Sequence, residues 1–253
     1  MDRIIDGKAV AARVGDELRE RVARLEAGGC TPCLTMILVG DDPASNVYIR
    51  HKEKACARLG IKSTSLRLPA DAPEGELLQV IASLNADPDV HGILVQLPLP
   101  PGINAYNVID AIDFHKDVDG FHRVNAGHLV TDRTGLAPCT PKGVMRLLRE
   151  YDVPLQSSHA VVVGRSRVVG RPMSAMLLAA HATVSICHRH TRDTAAVSSL
   201  ADILVVAVGK PGLVRADWVK EGAVVIDVGV NRLPNGKLAG DVAFDEVYPK
   251  ARL

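Results

Sequence analysis

Tyr48 and Lys52 stand four residues apart within SNVYIRHKEKACARLG. In a helix, that spacing projects both side chains from one face. Ala55, Cys56 and Leu59 continue the stripe with apolar groups. A lysine on such a stripe is unusual, because burying an unpaired ammonium is unfavourable. Partial burial favours the neutral amine, and a neutral lysine is a usable base near neutral pH. The alternative is a snorkelling lysine, whose stem packs while its head reaches water. Spacing alone leaves both readings open.

The second stretch with chemistry in it is HAVVVGRSRVVGRPM. An apolar strand runs into Gly164, and Gly170 follows at the start of a helix. Rossmann units cradle a pyrophosphate at such a corner: glycines permit the tight turn and helix amides receive the anion. The spacing here is G-x-S-x-x-x-G, which departs from the generic G-x-G-x-x-G. Arg165 lies beside the turn, and Arg189 lies just beyond the next strand, ATVSICH. NAD enzymes place a carboxylate at that second strand end, where it would repel a 2′-phosphate; arginine suits one. The expectation is NADP over NAD, with two solvated surface arginines as the alternative. VAVGKP (206–211) and DVGVN (227–231) also end strands near glycine. They should converge on the same carboxyl edge.

The elements that must position these residues alternate between helical and strand-like patterns, the mark of an α/β architecture. The pattern predicts a helix over 8–26, a buried strand LTMILVG (34–40), a helix from Ser45 to Leu59 and a strand over 62–68. A helix opening near Pro73 and a strand GILVQLPLP (92–100) follow, then an irregular stretch over 115–139. Thr140-Pro141 reads as an N-cap followed by proline at the first helical position. Beyond it come HAVVVG, a helix from Val169, ATVSICH, a short helix, DILVVAVG, a helix around Trp218 and AVVIDVG. The domain boundary is placed at this point, giving 1–139 and 140–253.

With 253 residues, 47% hydrophobic and 23% charged, the chain can bury one large core or two modest ones. A formal net charge of +1 gives no bulk field for nucleic acid. No run approaches the roughly 18 apolar residues of a membrane span. MDRIIDGKAV carries charge where a signal peptide would need its apolar core, so the cytoplasm is expected. The five scattered cysteines do not form a disulfide framework. Cys30-Thr-Pro-Cys33 has redox spacing, but it follows Gly-Gly and precedes a strand rather than opening a helix. His188 and His190 flank Arg189 without further donors, so no metal is expected.

Taken in order, VGDDPASNVYIRHKEKACARLGI, HGILVQLPLP, KDVDGFH, PCTPKGV, VVVGRSRVVGRPM and GAVVIDVGVNRL closely resemble the methylenetetrahydrofolate dehydrogenase/methenyltetrahydrofolate cyclohydrolase family. The resemblance covers essentially the whole chain. It implies two α/β domains with a cleft between them: a catalytic, folate-binding domain and a Rossmann-like NADP domain with a parallel sheet. It also implies a homodimer. The implied reactions are oxidation of 5,10-methylenetetrahydrofolate to the 5,10-methenyl form, with hydride passing to NADP+, and hydrolysis of that product to 10-formyltetrahydrofolate. They belong to the one-carbon metabolism that feeds purine biosynthesis. By the same resemblance Lys52 is the acid/base or polarising group, and Gln96 orients it. Tyr48 stacks on the aminobenzoate ring. Val95 and Leu97 line the substrate, and Asp119 binds the pterin, where a carboxylate can accept two N–H bonds. In isolation Asp119 reads rather as a turn-stabilising residue before Gly120; Asp117 reads as structural. Gly164, Arg165 and Ser166 match phosphate and ribose contacts, and Val230 matches a backbone contact near the nicotinamide.

Family members continue past a segment like GDVAFDEVYPKARL into a Pro- and Gly-rich loop and a further helix. Either the sequence is a portion of a longer chain, or it ends at Leu253, and in that second case impaired folate binding and a destabilised first domain are expected. Tyr-x-x-x-Lys also occurs in short-chain dehydrogenases, but there the cofactor glycines come first, the reverse of the order here. A folate- or nucleotide-binding protein without catalysis is the alternative from a different class.

Overall fold

The structure, a computed structural model, describes residues 3–253. It divides into two compact units. The first holds Lys8–His128 and Thr134–Ala137; the second holds Pro138–Leu253 together with residues 3–7 and Leu129–Arg133. Where the sequence suggests one cut between 139 and 140, the structure interleaves the chain. The reason at the N-terminus is specific. Ile5 packs on the core of the second unit, and the Asp6 amide donates to the Tyr151 hydroxyl at 2.6 Å.

In the first unit, helix α1 (Gly7–Ala27) leads into strand β1 (Cys33–Val39), helix α2 (Pro43–Leu59), β2 (Lys62–Leu68), α3 (Glu74–Ala86) and β3 (Gly92–Val95). The strands form one parallel sheet in the order β2-β1-β3. Alternation along β1 sends its side chains to both faces. Ile37 and Val39 meet Leu77 and Ile81 of α3; Met36 meets Ile49 of α2 and Leu94. With both faces covered, β1 reads as an unbroken apolar run. The β3 strand is shorter than the sequence suggests, because GILV pairs and QLPLP turns away through a cis Leu97–Pro98 peptide. Two short helices follow, α4 (Ala105–Ala111) and α5 (Arg123–Val130). The second lies inside the stretch read as irregular.

In the second unit, α6 (Cys139–Glu150) precedes β4 (His159–Val163), α7 (Gly170–Ala179), β5 (Thr183–Cys187), α8 (Thr194–Ser198), β6 (Ile203–Val206) and β7 (Val224–Asp227). The four strands are parallel in the order β5-β4-β6-β7. Val144, Leu148, Met173 and Leu177 from α6 and α7 cover one face; Val214, Val219 and Val247 cover the other. A small hairpin, β8 (Asn231–Arg232) with β9 (Leu238–Ala239), and α9 (Phe244–Val247) complete it. Two expectations are corrected here. Helix α6 opens two residues earlier, with Pro138 at the cap and no side-chain cap bond, so Thr140 is not the N-cap. The helix expected around Trp218 is a single 3-10 turn, Ala216–Trp218.

Candidate active site

Helix α2 starts at Pro43, two residues before the sequence pattern suggested. Asp42 is its N-cap, and its carboxylate accepts the Ser45 amide at 2.7 Å. That bond holds the Asp42 carboxyl below the usual carboxylate range. The buried line of α2 runs through Ser45, Asn46, Ile49 and Cys56. Ile49, absent from the stripe drawn on the sequence, is its anchor in the sheet. Lys52 therefore sits half-buried beside the line, while Tyr48 is displaced to its rim and is 53% exposed.

Lys52 Nζ donates to Gln96 Oε1 at 3.2 Å, and Gln96 Nε2 donates to the Leu97 carbonyl at 2.7 Å. The second bond fixes the amide so that its oxygen faces the lysine. The Gln96 amide in turn donates to Ile37 O at 2.8 Å, pinning the residue to the end of β1. Val95 is buried, with its side chain in the core, so any contact it makes with a ligand is through its backbone. Leu97 is half-buried in the turn.

Asp119 reaches the same place by a different route. Residues 116–118 run along β3, with the Ile93 amide donating to Lys116 O at 2.8 Å. Asp117 is 2% exposed and its carboxylate accepts from the His122 amide at 2.8 Å and Asn125 Nδ2 at 2.9 Å. The turn closes through Gly120, at φ 67°, whose amide donates to Asp117 O. So Asp117 secures the turn, as expected of it. Asp119 is half-buried, and among the described residues its carboxylate has no hydrogen-bond partner. Burial raises its pKa; the nearby Lys52 charge opposes this, and Asp117 adds to it. A carboxylate without donors beside an ammonium is an acceptor site.

In the second unit, strand order reverses between β4 and β6, the switch point at which α/β sheets bind ligands. Gly164, at φ 126°, ends β4 there. A Cβ on it would meet Ala207 O at 2.2 Å, and one on Gly170 would meet Gly164 O at 2.1 Å. The corner therefore admits only glycine at both positions. Ser166 Oγ accepts the amides of Val169 at 3.1 Å and Gly170 at 3.3 Å, which leaves its proton to donate. Arg165 is exposed beside it, and Arg189 is exposed in the turn after β5. Val230, beyond β7, is 66% exposed. These features fit a dinucleotide: a glycine-only corner, a free hydroxyl proton and two arginines.

Sequence reasoning missed the residues that shape this edge. Asp241, 0% exposed, accepts the amides of Val208 (2.7 Å), Gly209 (2.9 Å) and Lys210 (2.7 Å), and Asn231 Nδ2 (2.8 Å). Asp227 accepts the amides of Gly229, Asp241 and Val242. In the first unit, Arg67 donates to Asn46 Oδ1 at 2.6 Å, and Asn46 Nδ2 donates to Asp41 Oδ1 at 2.8 Å. GDV and a strand arginine carry no signal for such bonds, because the partners are distant in sequence.

Cys30 and Cys33 are both free thiols. Cys30 Sγ lies 3.5 Å from His91 Nε2, and the Cys33 amide donates to His91 Nδ1. No three of the described His, Cys, Asp and Glu residues group to hold a metal. No described helix is long and apolar enough to cross a membrane.

Helices on both faces of a parallel sheet, with a glycine corner at its switch point, place the second unit among dinucleotide-binding α/β domains. The particular family follows from comparison. Residues 5–119 match the tetrahydrofolate dehydrogenase/cyclohydrolase catalytic domain, and residues 138–253 match the NAD(P)-binding domain of the same enzymes. The chain belongs to the tetrahydrofolate dehydrogenase/cyclohydrolase family. The bifunctional protein FolD of Moorella thermoacetica is 54% identical over 249 residues, covering 98% of this chain and 89% of its own. The crystal structure of the bifunctional FolD from Campylobacter jejuni matches with a TM-score of 0.97 at 48% identity, over 98% of this chain and 88% of that one. The FolD of Trypanosoma brucei, solved with NADP cofactor and an inhibitor, matches with a TM-score of 0.92 at 39% identity, over 98% and 88%.

Proposed function

We propose that the chain oxidises 5,10-methylenetetrahydrofolate with NADP+ and hydrolyses the resulting methenyl form to 10-formyltetrahydrofolate, with the residue roles that follow. The observation that carries the reading is the Lys52–Gln96 hydrogen bond beside an unpartnered, half-buried Asp119. It lies in the unit that matches the family's catalytic domain.

Gln96 holds Lys52 Nζ in one orientation, and Lys52, once it has given up a proton and stands as the neutral amine, takes the proton from the water that attacks the methenyl carbon. General base catalysis of this kind contributes about 10²- to 10⁴-fold. Asp119 accepts N–H bonds from the amino-pyrimidinone edge of the pterin. Tyr48, exposed on the same helix, offers a ring to stack on the aminobenzoate group. Leu97 and the Val95 backbone form the adjoining wall. In the oxidation, bound NADP+ accepts the hydride; the protein's part is placement. Gly164 and Ser166 receive the phosphates, Arg165 and Arg189 supply positive charge with Arg189 at the 2′-phosphate, and the backbone at Val230 borders the nicotinamide. Lys8–His128 with Thr134–Ala137 acts as the folate domain, and Pro138–Leu253 as the cofactor domain. The protein works as a homodimer in the cytoplasm and supplies formyl groups for purine biosynthesis; the family likeness supports this reading, and free thiols suit a reducing compartment.

Absorbance of the methenyl chromophore tests the reading. Methylenetetrahydrofolate with NADP+ should generate it, and methenyltetrahydrofolate should lose it faster than in buffer. Background rates in both assays would refute the proposal.

A further inference from the structure

The turn after β5 reads H-R-H-T, and its second histidine has a task that the reading above leaves open. The turn is tied to itself: the Thr191 amide donates to His188 O at 2.8 Å, and the His188 amide donates to Thr191 Oγ1 at 2.9 Å. The His190 amide donates to His188 Nδ1 at 3.2 Å, and the two imidazoles meet edge to face with centroids 5.9 Å apart. This places the His190 ring so that its Nε2 accepts the Nε–H of Arg189 at 3.0 Å.

We propose that His190 is a positioning residue that confers preference for the ribose 2′-phosphate by turning the Arg189 guanidinium end-on to it. The inference rests on the reading of Arg189 as the 2′-phosphate residue. A guanidinium carries five N–H donors. Committing Nε–H to His190 leaves the four on the two terminal nitrogens, the fork that matches two phosphate oxygens. An exposed arginine otherwise gives up rotamer freedom when it binds; one already tethered gives up less. Accepting at Nε2 requires a neutral His190 with its proton on Nδ1. NAD presents a hydroxyl at this position and gains little from a phosphate-shaped fork, so the effect is confined to NADP.

The dehydrogenase assay with methylenetetrahydrofolate, run with each cofactor on the purified protein, tests this. His190→Phe keeps a ring and removes the acceptor. It should raise KM for NADP+ about five-fold, the size of one hydrogen bond, with kcat and KM for NAD+ changed by less than about two-fold. His190→Gln restores an acceptor and should return KM for NADP+ toward the parent value. In an Arg189→Ser background, His190→Phe should change nothing further, because no guanidinium is left to position. Equal effects on both cofactors, or single-variant effects that multiply in the double variant, would overturn the proposal. If Arg189→Ser itself affects NADP+ and NAD+ alike, the reading of Arg189 fails, and this inference with it. If Arg189→Ser is selective for NADP+ and His190→Phe is silent, only the role of His190 is lost.

Discussion

Asp119 in the first unit is half-buried and Asp241 in the second fully buried, and their surroundings are opposite. Asp241 has its two oxygens filled by three backbone amides and an asparagine. Asp119 accepts no hydrogen bond among the described residues, and burial raises its pKa. A filled carboxylate is a structural member: it holds the loops after β6 and β7, at the carboxyl edge of the sheet. An unfilled one is held ready for donors that arrive with a ligand. The two units thus divide the work. The proposed folate site keeps one carboxylate without a partner beside a bonded Lys52–Gln96 pair, whereas the proposed cofactor edge consists of backbone held in place by completed bonds.

The sharpest way to break this contrast is to empty Asp241. Asp241→Ala leaves three backbone amides and an asparagine without this buried acceptor. We expect a loss on the order of 4 kcal/mol, at about 1 kcal/mol for each of the four lost bonds. That corresponds to a fall of roughly 10 °C in the unfolding midpoint by circular dichroism. A fall of less than about 2 °C would mean that the loops hold their shape without it.

Lys52→Met tests the other side. The side chain keeps its length and loses its charge and its bond to Gln96. Hydrolysis of methenyltetrahydrofolate should fall by about 10³-fold, with the unfolding midpoint close to that of the parent and NADP+ binding intact. Retained hydrolysis would remove Lys52 from the mechanism.

Asp119→Asn should separate function from stability. The amide replaces one acceptor with a donor, and KM for the folate should rise about ten-fold or more, the scale of a charge-assisted bond. Stability should move the other way. Burial, the largest influence, raises the folded-state pKa of Asp119 above its unfolded value. Its favourable contribution is therefore present below the unfolded pKa and is lost as pH rises through the folded one. At neutral pH the ionised group opposes folding, and Asn removes that opposition. The variant should melt higher at pH 7, on the order of 2 °C, and the difference should shrink on acidification toward pH 4. A variant less stable at pH 7 would show that the Lys52 charge outweighs burial.

The pattern of filled and unfilled groups also explains what could be read from the chain. Strands β1 and β4 were legible because both faces of their sheets are covered and the runs are unbroken. Lys52, Gln96 and Asp119 were legible as members of family motifs. The helix α5 was not, since RVNAGHLV buries only Asn125 and has no apolar period. Nor was the end of β3, because pairing stops where Gln96 turns its side chain to Lys52. Ile49 was not legible because the four-residue spacing of Tyr48 and Lys52 marks a stripe beside the buried line, which runs through Ser45, Asn46, Ile49 and Cys56. Asp241 was hidden for a deeper reason. Its backbone partners lie 31–33 residues earlier in the chain and contribute only amides, which every non-proline residue has.

Ser166 lies between the two kinds of group, and the smallest prediction concerns it. Its oxygen accepts two amides at the start of α7, as a completed structural group does; its proton is left to donate, as an incomplete ligand group's is. Ser166→Ala removes both roles, while Ser166→Gly adds freedom to the corner. If the hydroxyl serves chiefly the helix, Ala should lower the unfolding midpoint by about 2–4 °C, the scale of a lost cap of about 1 kcal/mol, and leave KM for NADP+ nearly unchanged. If it serves chiefly the cofactor, KM for NADP+ and NAD+ should rise together, about five-fold for one hydrogen bond, because the corner receives phosphates common to both. We expect the second outcome with a small share of the first, since both acceptor bonds are long, at 3.1 and 3.3 Å, and weak caps contribute little. A rise confined to NADP+ would instead place Ser166 at the 2′-phosphate, alongside Arg189, and move the phosphate-reading group from the turn after β5 to the corner after β4.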